Sequence, residues 1–373
     1  MKIAIVTYYA VTNIGDRILT DTLCWMLSSY QTQIVDINGR YPYKFTWGGY
    51  LSQIEKFLVK CFVKRKTDYE INRYFRRVLK GKDLIIFGGG QIADFIYTDC
   101  CRRIYDIVNI AEEYHIPVAY NAIGFAGEDC KSSNAQMFIK SLNSKTVIDV
   151  SVREKYEFVS NILLQRKCLP ISLVADTAVW SSECYGIVKM RKTNTIGINV
   201  IRDSIINEYN KLQNITIVDI YCKLYLEFKS LGYNVRFFTN GVDKDNETIS
   251  NIKEKLGLKE ECISNFTKGK GKSFLKMLCD FDFVVSSRLH TSICCYSLKI
   301  PTVALAWDDK FKEFYKNSNQ YEHYINDYNN IDNIIELCKS IIEKGYEYKD
   351  YIQYRTTIKQ HIQELLSRIN ASI

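Results

Sequence analysis

Residues 283–310 read FVVSSRLHTSICCYSLKIPTVALAWDDK, and this stretch decides the fold. A short apolar strand at 283–285 runs into a polar turn at 286–290, and a helix-like segment at 291–298 follows directly. Residues 300–306 then form the next apolar strand. This order predicts a βαβ unit, in which ligands bind beyond the carboxyl ends of the parallel strands.

Two side chains of the turn, Arg288 and His290, are the first candidates for chemistry. A guanidinium group matches a carboxylate or a phosphate, and an imidazole exchanges a proton near neutral pH. If Thr291 caps the helix, the free backbone N–H groups would complete an anion pocket. The alternative is structural, because such an arginine also caps helices or pairs with an acid, and the motif alone leaves both interpretations open.

Strands and helices alternate through both halves of the 373-residue chain, which is longer than one core usually organises. We therefore predict two Rossmann-like α/β domains that face each other across a cleft. Residues 1–180 form the first domain, 181–194 a linker without clear periodicity, and 195–349 the second domain. Residues 350–373 form a C-terminal helix that packs back toward the first domain, since its apolar residues recur at helical spacing. Those residues are Ile358, Ile362, Leu365, Leu366 and Ile369.

Composition narrows the class of protein. The formal net charge of +8 suits an anionic partner such as a phosphorylated substrate, a membrane surface or a nucleic acid. The 13 cysteines are scattered without any Cys-x-x-Cys pair, which indicates reduced thiols in a cytosolic protein and no metal site. Neither a signal peptide nor a membrane-spanning apolar run is evident, so we expect a cytoplasmic protein.

Residues 56–82 are strongly basic and interleaved with aromatic side chains. Such a face can rest on the inner surface of the cell membrane, although a solvated face above a core stripe gives the same pattern. Peripheral membrane contact through 56–82 is therefore an expectation with a structural alternative. Nucleic acid is not an expected partner, because no nucleic-acid-binding motif accompanies the charge.

Two glycine-containing loops follow predicted strands. The first contains Asn13, Gly15 and Asp16, and the second is Gly88-Gly89-Gly90. Loops of this kind can hold an anion on backbone amides, but tight packing of strand on helix explains consecutive glycines equally well. The dinucleotide fingerprint is absent, and the spacing of residues 268–273 does not fit a P-loop, so this segment is predicted to be a flexible basic loop.

Taken in order, several motifs make the chain resemble the polysaccharide pyruvyl transferase family. The resemblance covers most of the chain, and the joint order of the motifs is more specific than any one of them. The motifs are Asn13-Ile14-Gly15-Asp16, Gly88-Gly89-Gly90 with Asp94, Ser151-Val152-Arg153-Glu154, Asp176-Thr177-Ala178, Ser287-Arg288-Leu289-His290, and Lys310 after Trp307.

The resemblance implies a GT-B arrangement, phosphoenolpyruvate as donor, and a sugar of a capsule, exopolysaccharide or lipid-linked precursor as acceptor. Arg153 from one domain and Arg288 from the other would bind the carboxylate and phosphate of the donor. His290 would be the general acid, and Lys310 would lie near the donor. The glycine loops would contribute to substrate binding through Asn13, Gly15, Asp16, Gly88, Gly89 and Gly90. No cofactor beyond the co-substrate phosphoenolpyruvate is expected, and the chemistry is expected to be metal-independent.

Two other functions stay open. A GT-B glycosyltransferase would use a nucleotide sugar, but the predicted helix 291–298 lacks the carboxylate that often holds the ribose in such enzymes. A catalytically silent scaffold for polysaccharide assembly is suggested by the basic stretch and by departures from the family pattern at Thr177 and Trp307. The acceptor sugar is expected to contact the loops at 41–50 and 122–133.

Overall fold

The computed structural model describes residues 1–9, 13–39, 68–96, 99–210, 216–328, 330–346 and 351–371. It contains a six-stranded sheet of order β2-β1-β3-β4-β5-β6 and a five-stranded sheet of order β11-β10-β9-β7-β8. Parallel pairing and intervening helices in both sheets confirm the predicted class of two Rossmann-like α/β folds. The strands are β1 Lys2–Thr7, β2 Gln31–Asp36, β3 Leu84–Asp94, β4 Val118–Ala126, β5 Val147–Val152, β6 Ile171–Leu173, β7 Thr195–Asn199, β8 Asn234–Phe238, β9 Phe283–Ser286, β10 Thr302–Leu305 and β11 Tyr324–Ile325.

The chain divides into two compact units. Unit 1 comprises Met1–Ala10, Ser28–Val150 and Glu157–Ile171, and unit 2 comprises Val11–Leu27, Ser151–Tyr156 and Ser172–Ile373. Short segments of the amino-terminal half, including the one that carries Arg153, therefore belong to unit 2. Its position after a strand of the first sheet predicts Arg153 to be part of the first domain, whereas the structure groups it with unit 2.

The central strands of unit 1 are almost completely buried: β4 is buried along its whole length and β3 at every position except Gln91, as expected for a parallel sheet covered on both faces. Strand β3 has 11 residues; within it Gly89 and Gly90 adopt positive φ angles of 70° and 73°, and its register against β4 shifts between Gly90 and Ala93. The three glycines thus form a bulged strand. Among the described residues, the helices of this unit with ten or more residues are Asp68–Leu79, Cys100–Glu113 and Ser133–Leu142.

Unit 2 has its core between the five-stranded sheet and its helices, where Ile198, Phe237 and Val285 are fully buried. The residues predicted to be a flexible basic loop are partly helical, since a helix begins at Gly271. The predicted linker likewise contains a short helix. The helices of this unit are Ile14–Met26, Ser181–Tyr185, Asp203–Asn210, Ile217–Ser230, Asn246–Leu256, Gly271–Leu278, Leu289–Leu298, Asp309–Asn317, Ile331–Lys344 and Tyr351–Asn370.

The C-terminal helix Tyr351–Asn370 buries the apolar residues predicted from its spacing. Trp180 donates from Nε1 to the Arg355 carbonyl oxygen at 2.6 Å, and the Arg355 guanidinium lies 3.8 Å from the centre of the Trp180 ring. The helix therefore packs on the end of the predicted first domain, although Trp180 itself is part of unit 2.

The described cysteines are all free thiols. Across the described ranges, every helix is too short or too polar to serve as a membrane span.

Candidate functional site

Arg153 and Asp176 form a buried ion pair in unit 2. Arg153 is the first residue after β5 and is 6% exposed; Asp176 follows β6 and is 1% exposed. The Nη1 atom of Arg153 donates to Oδ2 of Asp176, and Oδ1 of Asp176 accepts from the Ala178 backbone N–H at 2.8 Å. Asp176 is therefore both the cap of the short turn Thr177–Trp180 and the partner of the arginine.

Asp176 and Arg153 each shift the pKa of the other group in the direction that favours its charged form. Burial alone would raise the pKa of the Asp176 carboxyl, but His290, Arg153 and the Ala178 N–H together hold it well below its usual range. Burial opposes the charge of Arg153, whereas Asp176, Glu154 and Asp16 raise its pKa. Both groups are consequently charged at neutral pH.

His290 lies beside this pair. It is in the first turn of the helix Leu289–Leu298, and its Nε2 atom is 3.7 Å from Oδ2 of Asp176. That distance permits electrostatic attraction but exceeds hydrogen-bond length. Within the described part of the chain, this buried Nε2 atom has no hydrogen-bond partner. The imidazole thus lies within electrostatic reach of the Asp176 carboxylate.

Gly15 packs directly against the His290 ring. A Cβ atom placed on Gly15 would lie 2.3 Å from Nδ1 and 2.4 Å from Cγ of His290. Any side chain at this position would displace the imidazole. The glycine of the first loop is thus explained by the close approach of His290.

Asp16 adds a second carboxyl group to the cluster. It lies in the first turn of the helix Ile14–Met26, and its Oδ2 atom accepts from Nδ2 of Asn13 at 3.1 Å. Asn13 also caps this helix by accepting from the Gly15 N–H at 3.2 Å. Burial raises the pKa of Asp16, and the opposing attraction of His290 and Arg153 does not cancel the increase. Asp16 is therefore a stronger base than an exposed aspartate.

A buried polar network fixes the two helix starts that carry these residues. The backbone N–H of Ile14 donates to the Asn240 carbonyl oxygen at 3.4 Å, and the Thr291 hydroxyl donates to Oδ1 of Asn240 at 2.7 Å. The expectation that Thr291 caps its helix was wrong. The helix begins earlier, at Leu289 with Arg288 as the capping residue, because the chain turns immediately after β9.

Arg288 has a different partner from Arg153. Its Nη2 atom donates to Oδ2 of Asp245 at 2.5 Å, and the Asp245 side chain is fully buried. The Nε atoms of Arg288 and Arg153 are both buried and, among the described residues, both lack a hydrogen-bond partner. The Nε atom of Arg153 faces Oε2 of Glu154 at 3.8 Å, which is an ion-pair distance but too long for a hydrogen bond. Each guanidinium therefore has one N–H that can still donate a hydrogen bond, while an aspartate binds another part of the group.

Lys310 is held by its own helix cap. Its Nζ atom lies 2.8 Å from Oδ2 of Asp308, and its backbone N–H donates to Oδ1 of the same carboxyl at 3.0 Å. The neighbouring Trp307 donates from Nε1 to the Ser287 carbonyl oxygen at 2.9 Å, which connects this segment to the turn before His290.

The structure brings together Asn13, Gly15, Asp16, Arg153 and His290 from the predicted set. Gly88, Gly89 and Gly90 lie in unit 1, in the bulged strand. Residues 41–50 and 56–67, which include the predicted acceptor loop and most of the predicted membrane contact, lie outside the described residues. The roles of all these residues stay predictions.

Two carboxylates of the site have no role predicted from the sequence. Asp176 belongs to the motif Asp176-Thr177-Ala178, and its position shortly after a strand is a signal that points to it. No sequence signal points to Asp245, because it lies 43 residues before Arg288 in a short turn, Asp243–Asp245. In the described residues, no group of three His, Cys, Asp or Glu side chains could hold a metal ion.

Comparisons with known proteins agree with this fold. The family model for polysaccharide pyruvyl transferase matches residues 13–309. A search of curated proteins found no sequence match.

Among solved structures, UDP-GlcNAc 2-epimerase from Methanocaldococcus jannaschii is 13% identical, with a TM-score of 0.59 over 98% of this chain and 100% of the epimerase. The S. aureus MnaA structure with UDP is 12% identical, with a TM-score of 0.58 over 100% and 97%. Anabaena Alr3699/HepE in complex with UDP-glucose is 11% identical, with a TM-score of 0.58 over 99% and 100%. At these identities the likeness concerns the fold alone, and it agrees with the predicted GT-B class.

Proposed function

Because the chain belongs to the polysaccharide pyruvyl transferase family, we propose that it transfers a pyruvyl group from phosphoenolpyruvate to two hydroxyl groups of one sugar. The sugar would belong to a cell-surface polysaccharide or to its lipid-linked precursor. The observation that carries this proposal is the buried arrangement of Arg153, Asp176 and His290, in which a cation, a carboxylate and an imidazole lie side by side. Such an arrangement suits an anionic substrate that must be protonated.

The two arginines are suited to the donor. Phosphoenolpyruvate carries a carboxylate and a phosphate, and each of Arg153 and Arg288 has a buried Nε–H without a hydrogen-bond partner among the described residues. The Nε atom of Arg153 also lies 3.8 Å from Oε2 of Glu154, beyond hydrogen-bond length. A buried donor without an acceptor is costly, so binding an anionic oxygen there is favourable. Asp176 and Asp245 would meanwhile fix the orientation of the two guanidinium planes.

His290 would start the reaction by giving its proton to the methylene carbon of the donor. The first sugar hydroxyl would add to the adjacent carbon, and Asp16 would take the hydroxyl proton, since its pKa is raised. The bond from this carbon to the phosphate oxygen would then break. The second hydroxyl would complete the ketal, its proton would leave with the phosphate, and the proton on Asp16 would restore His290.

The test is phosphate release from phosphoenolpyruvate in the presence of a panel of sugar and lipid-linked acceptors. We expect His290→Asn to retain donor binding in isothermal titration and to lose turnover by about 100-fold, the usual scale of general acid catalysis. Near-normal turnover of this variant would place the acid elsewhere.

The nucleotide-sugar alternative has its own test. The helix Leu289–Leu298 contains no carboxylate that could hold a ribose. Titration with phosphoenolpyruvate and with UDP-GlcNAc should therefore show binding of the first. Tight binding of UDP-GlcNAc without binding of phosphoenolpyruvate would refute the pyruvyl transfer proposal.

A further inference from the structure

Two large apolar side chains protrude from one short loop of unit 2. Val188 is 72% exposed and Met190 is 84% exposed, the highest value among the large apolar residues that the structure describes. The next two residues, Arg191 and Lys192, are exposed as well. Single exposed apolar residues are common, but two beside exposed cations form an amphipathic surface. We refer to residues 187–192 as the 187–192 loop.

The 187–192 loop is anchored to the protein at its start, in its middle and directly after its end. At the start, Ile187 is buried and its N–H donates to the Ser182 carbonyl oxygen at 2.8 Å. In the middle, Lys189 pairs with Asp282 at 2.9 Å. At the end, the backbone N–H of Thr193 donates to the same carboxyl at 2.8 Å. These contacts hold alternate residues inward and present Val188 and Met190 outward.

The charge around the loop is mainly positive. The Asp282 carboxyl neutralises Lys189, and the Lys189 ammonium also donates to the Cys279 carbonyl oxygen at 3.0 Å, at the end of the helix Gly271–Leu278. That helix carries the exposed Lys272 and Lys276, which share one face at a spacing of four residues. Two further acids lie on the described segments that anchor the loop: Asp280 is exposed, and Glu183 pairs with Arg355.

We propose that the 187–192 loop binds the surface of a lipid bilayer that contains anionic phospholipids. Val188 and Met190 would enter the boundary between head groups and acyl chains, and Arg191 and Lys192 would contact the lipid phosphates. The positive neighbourhood favours an anionic bilayer over an apolar protein surface. This inference does not depend on the donor or on the reaction, and it concerns a different surface from residues 56–82.

The test is sedimentation of the full-length protein with vesicles, without phosphoenolpyruvate or acceptor. We expect binding to mixed phosphatidylcholine–phosphatidylglycerol vesicles and much weaker binding to pure phosphatidylcholine. The double substitution Val188→Ser/Met190→Ser should weaken vesicle binding by roughly tenfold or more, because it removes the two apolar side chains that the bilayer would bury. The matched control Leu226→Ser/Ile352→Ser removes two exposed apolar side chains elsewhere and should bind like the wild type.

The charge contribution is tested separately. Arg191→Gln/Lys192→Gln should weaken binding by about fivefold per cation, whereas Lys229→Gln/Lys244→Gln, with the same charge change elsewhere, should have a smaller effect. Binding should also fall at about 1 M salt, where the Debye length is roughly 3 Å. Equal binding to both vesicle types, no binding to either, or wild-type binding of the loop variants would each overturn the proposal.

Discussion

Replacing Gly15 with alanine should disable the site without unfolding the protein. The new Cβ atom would lie 2.3 Å from Nδ1 of His290, whereas an ordinary contact lies at 3.4–4 Å. The imidazole must therefore retreat by about 1.1 Å, the difference between 2.3 and 3.4 Å. Alanine is a better helix former than glycine by roughly 0.5–1 kcal/mol, which offsets part of the strain. The fold should survive while the imidazole moves.

The size of the effect follows from that displacement. A misplacement of about 1 Å in a reacting group can cost about 100-fold in rate, which corresponds to about 2.7 kcal/mol of transition-state stabilisation. Phosphoenolpyruvate binding should change much less, because the three atoms nearest to the new methyl group all belong to His290.

The assay combines turnover, donor titration and NMR of the imidazole groups. The chain has four histidines, so a displaced His290 should appear as one shifted imidazole signal among four. The control is Gly197→Ala in β7, where a Cβ atom would lie 2.7 Å from the Phe281 ring, in the core of unit 2. This variant should lose stability but keep its turnover per folded molecule. Unchanged turnover in Gly15→Ala, or an unshifted His290 signal, would refute the reasoning.

Three further substitutions test the charged groups. Asp176→Asn should destabilise the protein by roughly 3–5 kcal/mol at neutral pH, because buried Arg153 loses its nearest carboxylate, which Glu154 at 3.8 Å replaces incompletely. The pKa of Asp176 is lowered in the folded state, so the stability that its carboxylate contributes is present above the ordinary pKa of ~3.9 and is lost as the pH falls below that value. The difference in unfolding free energy between the variant and the wild type, measured by chemical denaturation, should therefore shrink in acid. A difference that stays constant with pH would contradict the ion pair as its source. Asp16→Asn should keep donor binding but reduce turnover by about 100-fold. Because the pKa of Asp16 is raised, the wild-type rate should fall in acid at a pH above ~3.9, and the variant should lack this decrease. A variant that keeps the decrease would assign the general base to another group. Arg288→Lys should weaken phosphoenolpyruvate binding in isothermal titration, because an ammonium lacks the planar fork; unchanged affinity with a lowered Tm would limit Arg288 to holding Asp245.

The amino-acid sequence determined the fold class and most of its elements. Apolar runs such as Phe283–Ser286 and Thr302–Leu305 became buried parallel strands, because a continuous apolar segment of this length is stable only when covered on both faces. The same pattern placed Arg153 and His290 just beyond strand ends. Both positions follow from local periodicity, which depends on residues close in the chain.

The partners of these residues were decided only by the tertiary structure. Arg153 and its partner Asp176 are 23 residues apart in the sequence, and Arg288 and Asp245 are 43 residues apart. No local sequence pattern specifies how the intervening chain brings each pair together. The contact of Gly15 with His290 joins positions still farther apart. A sequence reveals that a charged group follows a strand, but the carboxylate that fixes its charge and orientation depends on how distant helices and turns pack. That packing is a property of the whole core, so it became visible only in the folded chain.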